Sequence, residues 1–143
     1  MDALSAEPPE LAFFGNPPGF LRAAGLHLTE VSPTRVEGWI DLSSEQHTPF
    51  GIVHGGVYTT AIETAASVGA TAAAAERGQV AVGVTNITNF LRPRSDGRVT
   101  VTAVPIQQGR VQQLWQVDIA DAEGKLVATG QLRVQNIDRP PPR

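Results

Sequence analysis

The strongest constraint in this chain is a change of period. Residues 57–77, VYTTAIETAASVGATAAAAER, are an unbroken Ala-rich stretch with high intrinsic helix propensity. Gly78 follows as a natural terminating residue. Beyond it the apolar repeat shortens from about 3.6 residues to about two, the period of half-buried strands. Residues 80–91, 98–107, 111–120 and 126–136 read as four such strands. The third is the clearest, with Trp115, Val117 and Ile119 directed to one side and Gln116 and Asp118 to the other. Short turns at 93–97, at Gln108-Gly109-Arg110 and at 121–125 predict an antiparallel meander. Ahead of the helix, residues 26–31 and 35–42 predict a hairpin turned by Ser32-Pro33-Thr34, after a short helix at 20–24 closed by Gly25.

One long helix among strands predicts an α+β fold. The helix carries Ala61, Ala65, Ala66, Gly69, Ala70, Ala72 and Ala73, small side chains that let a sheet approach and wrap it. One sheet over one helix leaves sheet edges open, which predicts a homo-oligomer.

The length of 143 residues predicts a single domain over 1–143. Four prolines within residues 1–19 (Pro8, Pro9, Pro17 and Pro18) predict a loosely held arm, with one helical turn at 10–14. Three prolines in residues 138–143 predict a tail outside the sheet. The count of 0 Cys excludes disulfides, zinc–thiolate sites and a cysteine nucleophile. A net charge of −3 is the wrong sign for a general nucleic-acid binder. Residues 57–75 hold a single charge, yet Ala, Thr and Gly transfer poorly into lipid, so a buried helix is expected rather than a membrane span. The opening MDALSAEPPE is acidic with no apolar stretch after it, so a cytoplasmic location is expected.

Chemistry concentrates where loop becomes helix. A helix N-terminus offers unpaired N–H groups and the positive end of the helix dipole, suited to an anion or a polarised carbonyl oxygen. Gly55 and Gly56 after His54 leave that end free of Cβ atoms; the same pair also suits a simple tight turn. Glu63 is the one charge between His54 and Glu76. A lone carboxylate among Ala, Ile and Thr is costly unless it has a task. Thr60, Glu63, Ser67 and Thr71 recur at spacings of three and four, one polar stripe that either lines a pocket or meets solvent.

Other chemistries lack their signatures. His27, His47 and His54 have no metal-ligand spacing, so no metal site is expected, and no G-x-S-x-G, G-x-G-x-x-G or Walker motif occurs. The basic residues are ten Arg and one Lys, with Arg92, Arg94 and Arg98 close together and Arg110 further on. Strand ends that meet in space would gather these for phosphate binding.

The run Gly51-Ile52-Val53-His54-Gly55-Gly56, then Glu63 nine residues after the His, then Asn89-Phe90-Leu91-Arg92-Pro93, resembles the hotdog-fold acyl-CoA thioesterases. The most similar groups are the phenylacetate-pathway-like enzymes and the 4-hydroxybenzoyl-CoA and 1,4-dihydroxy-2-naphthoyl-CoA thioesterases, over residues 20–136. The resemblance implies a sheet wrapped around the helix, dimers joined sheet edge to sheet edge with active sites at the interface, and pairing of dimers into tetramers. It implies that the Gly55 N–H stabilises the thioester oxyanion and that His54 shapes the turn at the thioester end. It makes Glu63 of the other subunit the nucleophile or the general base, with Ser67 assisting the hydrolytic water. Gly56 would line the substrate's path, and Arg92, Gly109 and Arg110 would meet the nucleotide and phosphates of coenzyme A. No cofactor is implied, coenzyme A being part of the substrate. One position departs from the pattern: Thr48 stands where the family commonly has Asn or Gln, and His47 lies beside it. Glu rather than Asp at position 63 resembles the members acting on aromatic acyl groups.

Two other functions fit the same fold. A hotdog dehydratase or hydratase would use His47 and Glu63, and an acyl-CoA-binding module would use the pocket without catalysis. The His-Gly-Gly turn favours hydrolysis over the first, and the retained Glu63 favours it over the second.

Overall fold

The computed structural model describes residues 15–143, so the turn expected at 10–14 lies outside the described residues. Helix α1 (Gly19–Ala24) ends on Gly25, whose φ of 79° permits the N–H bond back to the Leu21 carbonyl. Strands β1 (His27–Ser32) and β2 (Arg35–Leu42) form the expected hairpin. Its turn is closed by the Ser32 hydroxyl, which accepts from the N–H groups of Thr34 and Arg35 at 3.3 and 2.9 Å. A 3-10 turn (Ser44–Gln46) leads into the loop before helix α2 (Gly55–Ala75). Strands β3 (Gln79–Phe90), β4 (Gly97–Gln108), β5 (Gln112–Ala120) and β6 (Leu126–Asp138) follow. Helix α2 begins and ends two residues earlier than propensity alone predicts, because His54 caps its start and the chain tightens through Arg77 and Gly78 at its end.

All six strands join one antiparallel sheet in the order β1-β2-β4-β5-β6-β3. The expected meander holds for β4, β5 and β6 and fails for β3, which runs along the outer side of β6 while β2 takes the place beside β4. The segment after β3 explains the crossing. The N–H groups of Leu91 and Arg92 both bond the Val127 carbonyl on β6, and Pro93 follows, so no tight hairpin into β4 forms. β3 is thereby an edge strand, and Val82, Val84 and Ile87 on it are exposed. β6 runs two residues beyond expectation, with Asp138 paired to Gln79 and the Arg139 N–H bonded to the Gly78 carbonyl.

The sheet curls around α2. Trp115, Val117 and Ile119 are fully buried on its inner face, as their alternation predicts, against Ala61, Ile62, Ala65, Ala66 and Ala70. Gly69 shows why the helix is built of small residues: a Cβ there would stand 2.7 Å from Cζ3 of Trp115 and 2.9 Å from Cγ2 of Val36. Buried Gln113 closes the far end, donating to the Ala70 carbonyl at 3.0 Å and to Asn136 at 2.9 Å while accepting from the Trp115 indole N–H. Such a buried amide is tolerable because each of its polar atoms is paired.

Candidate active site

The loop of residues 47–53 presents the start of α2 between two cavities. The loop is fastened from several directions. The His54 N–H donates to the Gln46 carbonyl and the Val53 N–H to the Arg94 carbonyl, each at 2.8 Å. The Gln46 side chain in turn grips α1, donating to the carbonyls of Ala23 and Ala24. With the loop so held, His54 becomes the N-cap of α2, and its Nδ1 accepts the Gly56 N–H at 2.8 Å. An accepting Nδ1 assigns the ring proton to Nε2. The Gly55 N–H stands at the first helical position, where no intrahelical acceptor exists.

One cavity, about 480 Å³, lies against Gly55 and is walled by Ile52, Val53, Tyr58, Phe90, Leu91 and Arg92, with Thr48 at its rim. The other, about 560 Å³, lies on the opposite side of His54 beneath α1 and includes His47, Gly56, Thr59 and Thr60. His54 and Gly56 border both. Tyr58 is 3% exposed, and its hydroxyl has no hydrogen-bond partner among the described residues. Burial pushes that hydroxyl above its ordinary pKa, so it stays neutral at physiological pH.

The polar stripe on α2 divides along its length. The Thr60 hydroxyl donates back to the Gly56 carbonyl at 2.7 Å, and the buried Thr71 hydroxyl accepts the Ala81 N–H of β3. Ser67 is half-buried between them. Glu63 is exposed and faces β3, where an added Cβ on Gly83 would lie 3.6 Å from its Oε1. It borders a small cavity with Phe20, Thr59, Thr60 and Thr64, separate from the Gly55 cavity. At about 1.5 Å of rise per residue, the eight steps from one to the other put Glu63 roughly 12 Å along the helix from Gly55. One chain therefore does not bring its carboxylate to its own helix start.

The arginines expected to gather do not. Arg92 lines the Gly55 cavity. Arg94 reaches towards buried Asp121 at 3.8 Å, and Arg98 donates two hydrogen bonds to the Asp41 carboxylate at 2.7 and 3.0 Å while lying 3.7 Å over the Trp39 ring. Gly109 and Arg110 sit at the other end of α2, where the Gly109 carbonyl accepts from Arg77 and Asn136. Arg110 borders a 340 Å³ recess with Arg77, Gln79 and Val111. The antiparallel connections carry β4 and β5 away from the helix start, so Arg92 and Arg110 belong to opposite ends of the same chain.

Other expectations resolve individually. Tyr58 and Leu91 wall the Gly55 cavity, whereas Phe50 is 90% exposed on the loop tip and lines none of the cavities described above. The Thr48 hydroxyl accepts the Phe50 N–H at 3.2 Å, so it braces its own loop. A ring nitrogen of His47 meets the Ser95 carbonyl at 2.7 Å, tying the loop to the β3–β4 connection and occupying a group that the dehydratase reading requires. Phe90 is the site residue that periodicity does not single out. Its ring atoms Cζ and Cε1 lie 2.7 and 2.8 Å from the place a Gly55 Cβ would take. The signal that reveals it is a glycine required on a helix facing the end of a strand.

Residues 50–128 match the family model described as the thioesterase superfamily. The chain is 43% identical over 120 residues to a presumed esterase of Mycobacterium tuberculosis, covering 82% of this chain and 85% of that one. The solved structure of that esterase aligns with a TM-score of 0.82, over 85% of this chain and 98% of that one. Identity is 32% over 109 residues to a 1,4-dihydroxy-2-naphthoyl-CoA hydrolase of Listeria monocytogenes, covering 76% of this chain and 88% of that one. A thioesterase structure from Haemophilus influenzae aligns with a TM-score of 0.81 at 29% identity, over 93% of this chain and 92% of that one.

Proposed function

The chain belongs to the thioesterase superfamily and is a thioester hydrolase of the hotdog fold, and from that premise we propose that it cleaves acyl-CoA thioesters, aromatic ones foremost, to the free acid and coenzyme A. The observation that carries this is the geometry at the start of α2, where the Gly55 N–H opens beside an apolar cavity and the neighbouring Gly56 N–H is already occupied by His54. A thioester carbonyl held there has its oxygen at the positive end of the helix, so negative charge developing on that oxygen is stabilised. The Nε2–H of His54 contacts the thioester end, and Gly56 lets the substrate pass the turn.

The carboxylate comes from a second copy. Glu63 is about 12 Å from Gly55 in its own chain, and the β3 edge is long, exposes Val82, Val84 and Ile87, and has no strand on its outer side among the described residues. Two identical edges joined about a two-fold axis run antiparallel. The start of one β3 then lies beside the end of the other, and the Arg77–Arg110 recess of one subunit faces the Arg92 end of its mate. This juxtaposition supports an anion site for the coenzyme A phosphates built from Arg92 of one chain and Gly109 and Arg110 of the other. Glu63 acts as nucleophile or as general base for water, with Ser67 orienting that water. Water is the second reactant, and the reaction as written needs no cofactor. Pairing of dimers into a homotetramer and a cytoplasmic location complete the proposal; among the described residues, no helix is long and apolar enough to cross a membrane.

The test is thiol release from a panel of aromatic and aliphatic acyl-CoAs, with Glu63→Gln and Glu63→Ala beside the wild type. Having 0 Cys, the protein adds no background. Turnover falling about a hundredfold or more in both variants, with oligomer size unchanged, supports the assignment. Release from no member of the panel overturns it.

A further inference from the structure

We infer that Phe90 is the size-setting gate of the cavity at Gly55, the residue that decides how bulky an acyl group reaches the Gly55 N–H. The inference rests on thioester hydrolysis at this site and goes beyond it to the selection of substrate.

The backbone of Phe90 is fixed. It is the last paired residue of β3, opposite Ala128, and the next two N–H groups are both bonded to the Val127 carbonyl. The side chain is 58% exposed in the single chain. Its ring rests on the Cα of Gly55, with Cζ, Cε1 and Cε2 at 2.7, 2.8 and 3.1 Å from the position of an added Cβ. It also leans on Tyr58, the ring centroids being 6.5 Å apart at 42°. The ring thus walls the place where the carbonyl must sit, on a seat that exists because residue 55 has no side chain. Gly55 serves two ends at once: it presents the N–H, and it gives the Phe90 ring its resting place.

The lining of the cavity states which part of the substrate it takes. Ile52, Val53, Tyr58, Phe90 and Leu91 make one side of it apolar, while Arg92 and Thr48 stand elsewhere on its lining. That apolar side suits an acyl group rather than the amide-bearing pantetheine arm. A smaller residue at 90 enlarges the cavity, and a larger one narrows it.

The experiment compares wild type, Phe90→Ala and Phe90→Trp on acetyl-CoA, benzoyl-CoA and 2-naphthoyl-CoA. Phe90→Ala is expected to raise the naphthoyl-to-acetyl ratio of kcat/KM about tenfold, and Phe90→Trp to lower it, a range typical of an apolar pocket changed by a few carbon atoms. A merely structural role moves all three substrates together. Calorimetric binding of two uncleavable thioethers, 2-oxopropyl-CoA and 2-naphthacyl-CoA, gives the same ratio without turnover. Hydrolysis by the wild type with both ratios unmoved overturns the gate and leaves hydrolysis standing. If the wild type cleaves nothing, the hydrolytic reading fails and the binding ratio alone judges the gate: a shift supports it, while no shift or no binding overturns it. A thermal double-mutant cycle of Gly55→Ala with Phe90→Ala checks the seat itself. Gly55→Ala is expected to lower the melting temperature in the wild type and to lower it less in the Phe90→Ala background; equal losses overturn the contact.

Discussion

The Nδ1 atom of His54 accepts the N–H of Gly56 at 2.8 Å, so the histidine of the site motif is also the cap of the helix on which the motif ends. Two properties are thus carried by one ring, and they separate by substitution. His54→Ala is expected to cost about 1 kcal/mol of stability through loss of the cap. His54→Asn, itself a good capping residue, is expected to fold with nearly wild-type stability. If the ring's Nε2–H bonds the thioester, both variants lose about tenfold in kcat/KM, the worth of one hydrogen bond. Urea unfolding beside steady-state kinetics checks the pair.

Gly69→Ala tests the approach of helix to sheet. The new Cβ would meet the Trp115 ring and Val36 in a fully buried layer with no room to yield. A loss of about 2–3 kcal/mol is expected from overpacking, although Ala is the better helix former. An unchanged urea midpoint would contradict the packing described here.

Tyr58→Phe is expected to gain stability, by about 1 kcal/mol, because it removes a buried hydroxyl that has no partner among the described residues. The ring that lines the cavity is retained, so substrate preference should hold. Thermal unfolding and the acyl-CoA panel together measure both halves.

Asp121 gives a pH dependence. Its Oδ1 accepts the N–H groups of Glu123 and Lys125 at 2.9 and 3.0 Å, and Arg94 lies beyond. The bond from the Lys125 N–H, then that from Glu123, then the nearby cations hold its carboxyl below the usual carboxylate range. A depressed folded pKa stabilises the fold above the unfolded value, near pH 4, and that contribution is lost as pH falls through the lower folded value. Asp121→Asn should therefore be less stable than wild type at pH 7, with the gap narrowing below about pH 4. Melting curves across that range decide it.

Val84 stands at the bulge of the β3 edge and is exposed. Val84→Lys places a charge where two edges would join, and a monomer without thioesterase activity is the expected product. Light scattering and turnover on the same sample read this out. An active monomer would contradict a carboxylate supplied by the second copy.

Much of this was legible in the residues. Ala-rich 57–77 reads as a helix because propensity is local, and 111–120 reads as a strand because its two faces differ in polarity. The His54-Gly55-Gly56 turn and Glu63 were legible as chemistry for a similar reason: a helix start and a lone carboxylate announce themselves by type and position. The place of β3 was not legible. Which neighbour an apolar strand takes depends on hydrogen bonds to Val127, a residue far along the chain. Nor was the dispersal of the arginines, since Arg98 is claimed by Asp41 and Trp39 across the sheet and Arg110 is carried to the opposite end of α2.

The sequence by itself therefore determined the elements and the reactive groups, because propensity, period and capping act over a few residues. The tertiary structure alone decided that β3 lies at a sheet edge beside β6, that Arg110 ends far from Arg92, and that Phe90 rests on Gly55. Those relations arise where distant segments pack under one set of steric limits, and no local pattern encodes which atoms will meet.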